Sequence, residues 1–167
     1  MALVWLTVVF NYYLLKFMIN TFEQVYTTGL LSSLTGLAAY WHGGILYKRL
    51  GLKMSITVSM VISFSATVVI ILIGLHFQSH WTFPIMVVFA EYGIAASFTI
   101  IYVSHPTIFP VLFATTALGF VNFGSRSLST LAPLLAVVDQ PLPMMVFGGL
   151  CAASGVLVWR VELNKEV

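Results

Sequence analysis

The dominant pattern along this chain is a series of six long apolar stretches separated by short polar segments. The stretches cover residues 2–19, 26–46, 55–75, 82–104, 111–136 and 142–160. The hydrocarbon core of a bilayer is about 30 Å thick, and an α-helix crosses it with about 20 apolar residues. These runs are longer than the roughly 9 to 11 residues of a transmembrane strand and lack its alternation of polar and apolar positions. The pattern therefore predicts an all-α membrane protein in which residues 1–167 form a single bundle of six transmembrane helices.

The segments between the stretches are rich in polar residues, Gly or Pro, which are the residue types that end helices. They cover residues 20–24, 51–53, 76–80, 106–110 and 139–143. Because these loops are short, we expect neighbouring helices to pack antiparallel.

The charges at the ends of the stretches predict how the bundle lies in the membrane. If the stretches cross the membrane in alternating directions, the basic residues at their ends all lie on one face. These residues are Lys48, Arg49, Lys53, Arg160 and Lys165. The opposite loops contain Glu23 and Asp139 but no Lys or Arg. By the positive-inside rule, this asymmetry predicts that both termini are cytoplasmic.

Composition excludes several classes of function. Hydrophobic residues make up 60% of the chain and charged residues 7%, whereas an ordinary soluble domain has about 25% charged residues. The formal net charge of +2 is too small to indicate a nucleic-acid partner. The basic residues are scattered along the sequence rather than clustered into a patch for anionic lipid, and the single cysteine, Cys151, has no partner for an internal disulfide.

The start of the chain is apolar from Ala2 onward and has neither the charged region nor the cleavage site of a secretory signal. It also has no hydrophilic segment before the first stretch. We interpret the chain as the rear portion of a longer polypeptide or as a truncated gene product.

Two charged residues lie deep within the predicted spans. Glu91 is about nine residues from the outer end of the fourth stretch, and Arg126 is about ten residues from the outer end of the fifth, which places both about 14 to 15 Å deep. A charge at a helix centre costs about 2.5 to 3.5 kcal/mol on insertion scales, so each needs a partner. We predict a buried Glu91–Arg126 ion pair that either lines a translocation path or fixes helix register.

The first stretch contains a third charge, Lys16, only about four residues from the outer end of the span. Its side chain can extend to the lipid headgroups, which is the interpretation we favour, or face a central cavity. Asn11, Tyr12 and Tyr13 lie on nearby turns, and tyrosines in mid-span suit a pocket for amphiphilic or cationic ligands. Packing within the bundle is the alternative role for these three side chains.

No catalytic or metal-binding constellation is present in the sequence. His76 and His80 have a spacing that would hold a metal only if their loop were helical and a third ligand were available. The sequence offers no combination of a nucleophile, a base and an orienting acid, and it contains no phosphate-binding glycine loop. We therefore predict that the protein is not an enzyme and requires neither a cofactor nor a metal.

The loop after the second stretch resembles a loop pattern of the major facilitator superfamily, G-x-L-x-D-R-x-G-R-K. The residues that match this pattern are Gly44, Arg49, Gly51 and Lys53. Lys48 stands at the acidic position, and Leu52 stands at the second arginine.

A second resemblance covers the junction of the fourth and fifth stretches, which is similar to the family signature F-x-x-x-Y…E-x-F-P-T-x-x-R-x-T-x-L-G followed by N-x-x-x-R…A-P. Matching positions are Phe98, Tyr102, Phe109, Pro110, Thr116, Leu118, Gly119, Asn122, Arg126, Ala132 and Pro133. Thr107, Val111 and Ala114 replace the glutamate, the threonine and the first arginine of the pattern. With Phe10 to Tyr13, these motifs look like the organic cation transporter branch, and the resemblance covers nearly the whole chain as a C-terminal six-helix half.

The resemblance implies a secondary transporter that moves small organic ions by alternating access around a midplane site. Such a site needs two bundles, so the expected partners are membrane lipid, a small organic ion, and either an N-terminal six-helix half or a second copy of the chain. The expected pathway residues are Asn11, Tyr12, Tyr13, Lys16, Glu91, Tyr102, Asn122 and Arg126. The alternative is a half-transporter fold that no longer transports and serves as a structural subunit of a larger membrane assembly.

Overall fold

The computed structural model of the protein describes residues 2–72, 81–108 and 111–160, and no strand occurs within these ranges. The helices are α1 (Ala2–Ile19), α2 (Val25–Leu72), α3 (Thr82–Ile108), α4 (Val111–Ser129), α5 (Ala132–Ala136) and α6 (Leu142–Leu157), and a short 3₁₀ helix follows at Val158–Arg160. The prediction of an all-α protein is confirmed. The predicted turn at 76–80, the predicted motif residues Phe109 and Pro110, and Lys165 lie outside the described residues.

Four helical segments in the described part of the chain are long and apolar enough to cross a membrane. They are Ala2–Ile19, Val25–Leu72, Thr82–Ile108 and Leu142–Arg160. Helix α2 has 48 residues, and at 1.5 Å per residue this is enough for about two bilayer thicknesses. Helix α4 has 19 residues but carries Asn122 and Arg126, and it is not among the four. These helices support an integral membrane protein.

Helix α2 is broken at Gly51, where the backbone has φ 71° and ψ 179°. This region of backbone space is open almost only to glycine, because any side chain would clash with the neighbouring peptide. The break divides α2 into a first arm, residues 25–50, and a second arm, residues 52–72. It lies where the sequence pattern predicts a turn between two stretches.

The first arm runs in the same direction as α3. Gly43 lies against the backbone of Ala96, and four residues later Tyr47 is hydrogen-bonded to Thr107 at 2.9 Å. Residues later in the first arm therefore contact residues later in α3.

The second arm runs in the opposite direction to α3. The Ser63 hydroxyl donates to the carbonyl of Ala90, whereas Ser59, which precedes Ser63, lies against Gly93, which follows Ala90. The two arms of α2 are thus antiparallel to each other, and both pack on α3.

Helix α1 lies at the centre of the bundle, where it packs against α3, α4, α5 and α6. Its side chains Trp5, Leu14, Leu15 and Met18 are fully buried. The core is completed by large side chains from the other helices, including Phe83 of α3 and Phe147 of α6. Because α1 is central, its polar side chains meet partners from several helices at once.

Candidate functional site

Polar and aromatic side chains on the three helices α1, α3 and α4 form a set of contacts across the middle of the bundle. We call this set the polar belt and define it by residues Tyr12, Tyr13, Lys16, Glu91, Tyr102, Asn122 and Arg126. All seven are among the residues expected from the sequence to line a pathway.

At one end of the polar belt, Lys16 of α1 is paired with Glu91 of α3. The Lys16 ammonium donates to Glu91 Oε1 and also to the hydroxyl of Ser32 on the first arm at 2.8 Å. The Glu91 side chain is 2% exposed and that of Lys16 is 33% exposed. Glu91 Oε2 has no hydrogen-bond partner within the described residues. The pair ties three helices together and neutralises the buried carboxylate.

Tyr12 connects this pair to the first arm of α2. The Lys16 ammonium lies 5.7 Å from the centre of the Tyr12 ring, within the range of a cation–π interaction. The Tyr12 hydroxyl is 2.7 Å from that of Tyr40, and either oxygen can be the donor. Lys16 therefore already occupies the face of Tyr12 that would attract an organic cation.

Tyr13 connects α1 to α4. An Arg126 guanidinium nitrogen donates to the Tyr13 hydroxyl at 3.2 Å, and Arg126 is exposed. The Tyr13 ring meets the Tyr12 ring edge-on, with centroids 5.6 Å apart. Arg126 is thus a cation held against Tyr13, and it has no other hydrogen bond within the part of the chain that the structure describes.

A ladder of aromatic rings extends the polar belt along α3. Phe98 lies 4.7 Å from Tyr12 and 4.9 Å from Tyr102, measured between ring centroids. The Tyr102 hydroxyl donates to Asn122 Oδ1 of α4 at 2.8 Å. This bond joins α3 to α4 at the far end of the belt.

The predicted ion pair between Glu91 and Arg126 is wrong, because Glu91 pairs with Lys16 and Arg126 binds Tyr13. Residue counting gave the two groups similar depths but not their directions around the helix axes. Helix α4 packs mainly on α1 rather than on α3, so Arg126 meets a side chain of α1. The favoured interpretation of Lys16 is also wrong: its side chain turns to Glu91 and Ser32 instead of extending to the headgroups.

Asn11 lies apart from the polar belt. It is fully buried on the side of α1 that faces α6, where its amide donates to the carbonyl of Phe147 at 3.1 Å and to the sulfur of Cys151 at 3.3 Å. Its contacts join two helices and leave no room for a ligand, which corresponds to the packing alternative for this residue.

The predicted loop motif is mostly helical. Within it, Gly44 has open space around it, Lys48 and Arg49 are exposed, and Gly51 is the break in α2. The Lys53 ammonium donates to the carbonyl of Trp159 at 3.4 Å. The motif therefore supplies a turn and an exposed basic surface at one end of the bundle.

Ser32 and Tyr40 take part in the contacts of the belt but were not predicted from the sequence. The sequence did contain a signal for the inward position of Ser32. Small residues recur there every three to four positions, and all of them are buried: Ser32, Gly36, Ala39 and Gly43. That spacing marks the face of the first arm that packs inward. Tyr40 lies next to this face and is exposed, so its partner was visible only in the structure.

The geometry of the belt is suited to holding an ion but not to covalent chemistry. No group of three or more candidate metal ligands occurs among the described residues, which do not include His76 and His80. The one cysteine is buried. What the belt presents to solvent is a guanidinium, a partly exposed ammonium and aromatic rings.

Comparison with known proteins identifies one informative similarity. No family model matches the chain. The chain is 28% identical over 158 residues to solute carrier family 22 member 13 of Homo sapiens, and this alignment covers 92% of the chain but 28% of the relative. The chain therefore spans less than a third of the length of that relative. The similarity is to a solute carrier, and because that relative is not an enzyme it agrees with the prediction that the chain has no enzymatic activity.

Proposed function

We propose that the chain is a six-helix half of a secondary transporter of the major facilitator type that moves small organic ions by alternating access. The observation that carries this proposal is the polar belt, in which ionic and aromatic groups from α1, α3 and α4 contact one another. Charged groups are expensive at this depth and are retained there mainly for function. The similarity to a human solute carrier is the independent support.

The number and direction of the membrane crossings belong to this proposal. In it, the two arms of α2 cross separately on either side of Gly51, and α4 crosses with its polar face against the second bundle. Six crossings leave both termini on one face, together with the exposed basic residues Lys48, Arg49 and Arg160. That face is the cytoplasmic one in our proposal.

The charges of the polar belt favour an organic anion as the transported ion. Glu91 is buried and already paired, and Lys16 covers the face of Tyr12. Arg126 is exposed, and its one hydrogen bond among residues 2–72, 81–108 and 111–160 is to a neutral hydroxyl. A carboxylate placed at Arg126 would gain charge-assisted hydrogen bonds and contact with the Tyr13 ring, whereas a cation would find no free carboxylate in the described belt.

Uptake assays test this proposal. Cells that produce the chain, alone or together with the N-terminal portion of the human relative, are given labelled benzoate or labelled tetraethylammonium. We expect uptake of benzoate above that of control cells, and a reduction of about 10- to 150-fold in Arg126→Gln, because a hydrogen bond to a charged group contributes about 1.5–3 kcal/mol. Tyr13→Phe should reduce uptake less, and Tyr26→Phe, at an exposed tyrosine outside the belt, should leave it unchanged.

The alternative function, a structural subunit without transport, is favoured by one observation. The most buried charge of the belt, Glu91, is neutralised by Lys16, and two apolar grooves in the described part of the chain lie elsewhere, between α2 and either α3 or α6. Equal uptake in producing and control cells for both ions and in both expression arms, with the chain present in the membrane, would reject transport and leave this alternative. Uptake of tetraethylammonium alone would retain transport and reject the anion.

A further inference from the structure

An apolar groove lies on the outside of the bundle between the second arm of α2 and α6. Its volume is about 430 Å³, and its lining is almost entirely apolar. Met60 and Phe64 form one wall, and Ala152 and Gly155 form the other. The groove exists because the residues on α6 are small: a Cβ at Gly155 would meet only Met60, at 3.8 Å. It runs for about 10 Å along the helix axis, from Thr57 to Phe64.

One end of this groove carries an anchored tryptophan and two cations. The Trp159 indole donates to the Thr57 hydroxyl at 3.0 Å, and the ring forms part of the groove lining. The Lys53 ammonium reaches the carbonyl of Trp159, and Arg160 follows directly and is exposed. These basic residues are far apart in the sequence, so they looked scattered, but the fold brings Lys53 and Arg160 to the same end of the groove.

We propose that this groove binds one acyl chain of an anionic phospholipid, whose phosphate is held by Lys53 and Arg160. An apolar groove on a membrane protein lies directly against acyl chains, which fit it without any polar partner. Tryptophan is favoured at the level of the headgroups, where its ring is apolar and its N–H is satisfied. Basic residues at that level attract anionic lipids. Along the groove, the lining is apolar where the acyl chain would lie, and the end is cationic where the phosphate would lie.

A second groove on the other side of the second arm provides an internal comparison. It lies between this arm and α3, has a volume of about 240 Å³, and is lined by Ile62, Ser65, Ala66, Val69, Met86 and Phe89. None of these six lining residues is charged. The chemistry of this groove is that of ordinary lipid contact, and we assign no headgroup preference to it.

A titration followed by native mass spectrometry tests the assignment with the purified full chain. The lipids are phosphatidylglycerol and phosphatidylcholine with identical acyl chains. We expect one molecule of phosphatidylglycerol to bind at least fivefold more tightly than phosphatidylcholine. Each basic residue near a membrane surface contributes about a factor of five to the attraction of anionic lipid, so Lys53→Gln and Arg160→Gln should each weaken binding about fivefold. Lys48→Gln removes an exposed charge at the same end of the bundle that, unlike Lys53, has no hydrogen bond to Trp159, and it should weaken binding less than twofold.

Two matched substitutions separate the groove from general charge attraction. Ala152→Phe fills the groove and should remove the bound phosphatidylglycerol, whereas Ser65→Phe places the same ring in the second groove and should leave it bound. Gly155→Leu fills the groove from a neighbouring position and replaces Ala152→Phe if that variant does not fold.

The assignment is overturned by any of three results. The first is equal affinity for the two lipids, and the second is equal weakening by Lys48→Gln and Lys53→Gln, which would indicate attraction to the whole basic end. The third is a dimer of the chain that is lost when the groove is filled, since the groove would then belong to a second copy of the protein. None of these results depends on whether the chain transports an ion.

Discussion

The pair formed by Lys16 and Glu91 allows a quantitative test, because its two members are not equally buried. The Glu91 side chain is 2% exposed and that of Lys16 is 33% exposed. Lys16→Met leaves an uncompensated carboxylate in the interior, and breaking a buried pair in this way costs about 3–5 kcal/mol. Glu91→Gln leaves an ammonium that keeps Ser32 as an acceptor and can reach water, so its cost should be about 1–2 kcal/mol.

The assay is reversible unfolding of the purified chain in mixed micelles, with the free energy of unfolding measured for each variant. Lys16→Met should be at least about 2 kcal/mol less stable than Glu91→Gln, and the double variant should regain about 2 kcal/mol relative to Lys16→Met. Lys48→Met, at an exposed position, is the matched control and should change stability by about 0.5 kcal/mol or less. Equal costs for the two single variants, or a double variant no more stable than Lys16→Met, would refute the buried pair.

Three further predictions concern the backbone of α2, the packing of α3 on α2 and the packing of α1 on α6. Each is measured by the same unfolding assay. Gly51→Ala should destabilise the protein by about 1–3 kcal/mol because φ 71° with ψ 179° is strained for any residue with a side chain. The control is Gly44→Ala, which lies in a helix with open space around it and should stabilise the protein by about 0.5–1 kcal/mol. Gly93→Ala should destabilise by about 1–3 kcal/mol because the new Cβ would lie 2.8 Å from a backbone nitrogen of the second arm, and Gly124→Ala, with nothing within 4 Å, should not. Asn11→Leu should destabilise by about 0.5–1.5 kcal/mol because the Phe147 carbonyl loses its donor from α1 and keeps only the bond within α6. Equal stability of a variant and its control, or an Asn11→Leu chain as stable as the wild type, would contradict the corresponding statement.

The positions of α1 and α3 were predictable from the sequence because each depends on a local property, whereas the stretch predicted at 111–136 is divided between α4 and α5, and the turn predicted at 106–110 begins inside α3. The apolar stretches at 2–19 and 82–104 correspond closely to α1 (Ala2–Ile19) and α3 (Thr82–Ile108), whose lengths follow from the thickness of the bilayer. The break at Gly51 falls within a predicted turn because glycine is the residue that permits a positive φ. These features require no knowledge of which helices are neighbours.

Partners within the site were less predictable, because pairing depends on the angular position of a residue around its helix and on helix order. Residue counting placed Lys16 near the surface and Glu91 near the midplane, a difference of about 7 Å along the helix axis that a flexible lysine side chain can bridge. It could not show that α1 lies between α3 and α4. Tyr102 and Asn122 were each predicted to line the pathway, but their hydrogen bond to one another appeared only with the fold.

The change of partner changes the net charge of the proposed pathway. Had Glu91 paired with Arg126, and had Lys16 extended to the headgroups, the pathway would have contained one closed ion pair and no free charge. In the structure, the carboxylate is neutralised by Lys16, and Arg126 has no carboxylate partner among the described residues. The belt therefore carries a net positive charge. In the proposed transporter this charge lies within the membrane, where a single unpaired cation attracts an anion far more strongly than it would in water. An organic anion supplies the charge that this arrangement lacks, and for that reason the uptake comparison between benzoate and tetraethylammonium tests the ion pair and the proposed substrate class together.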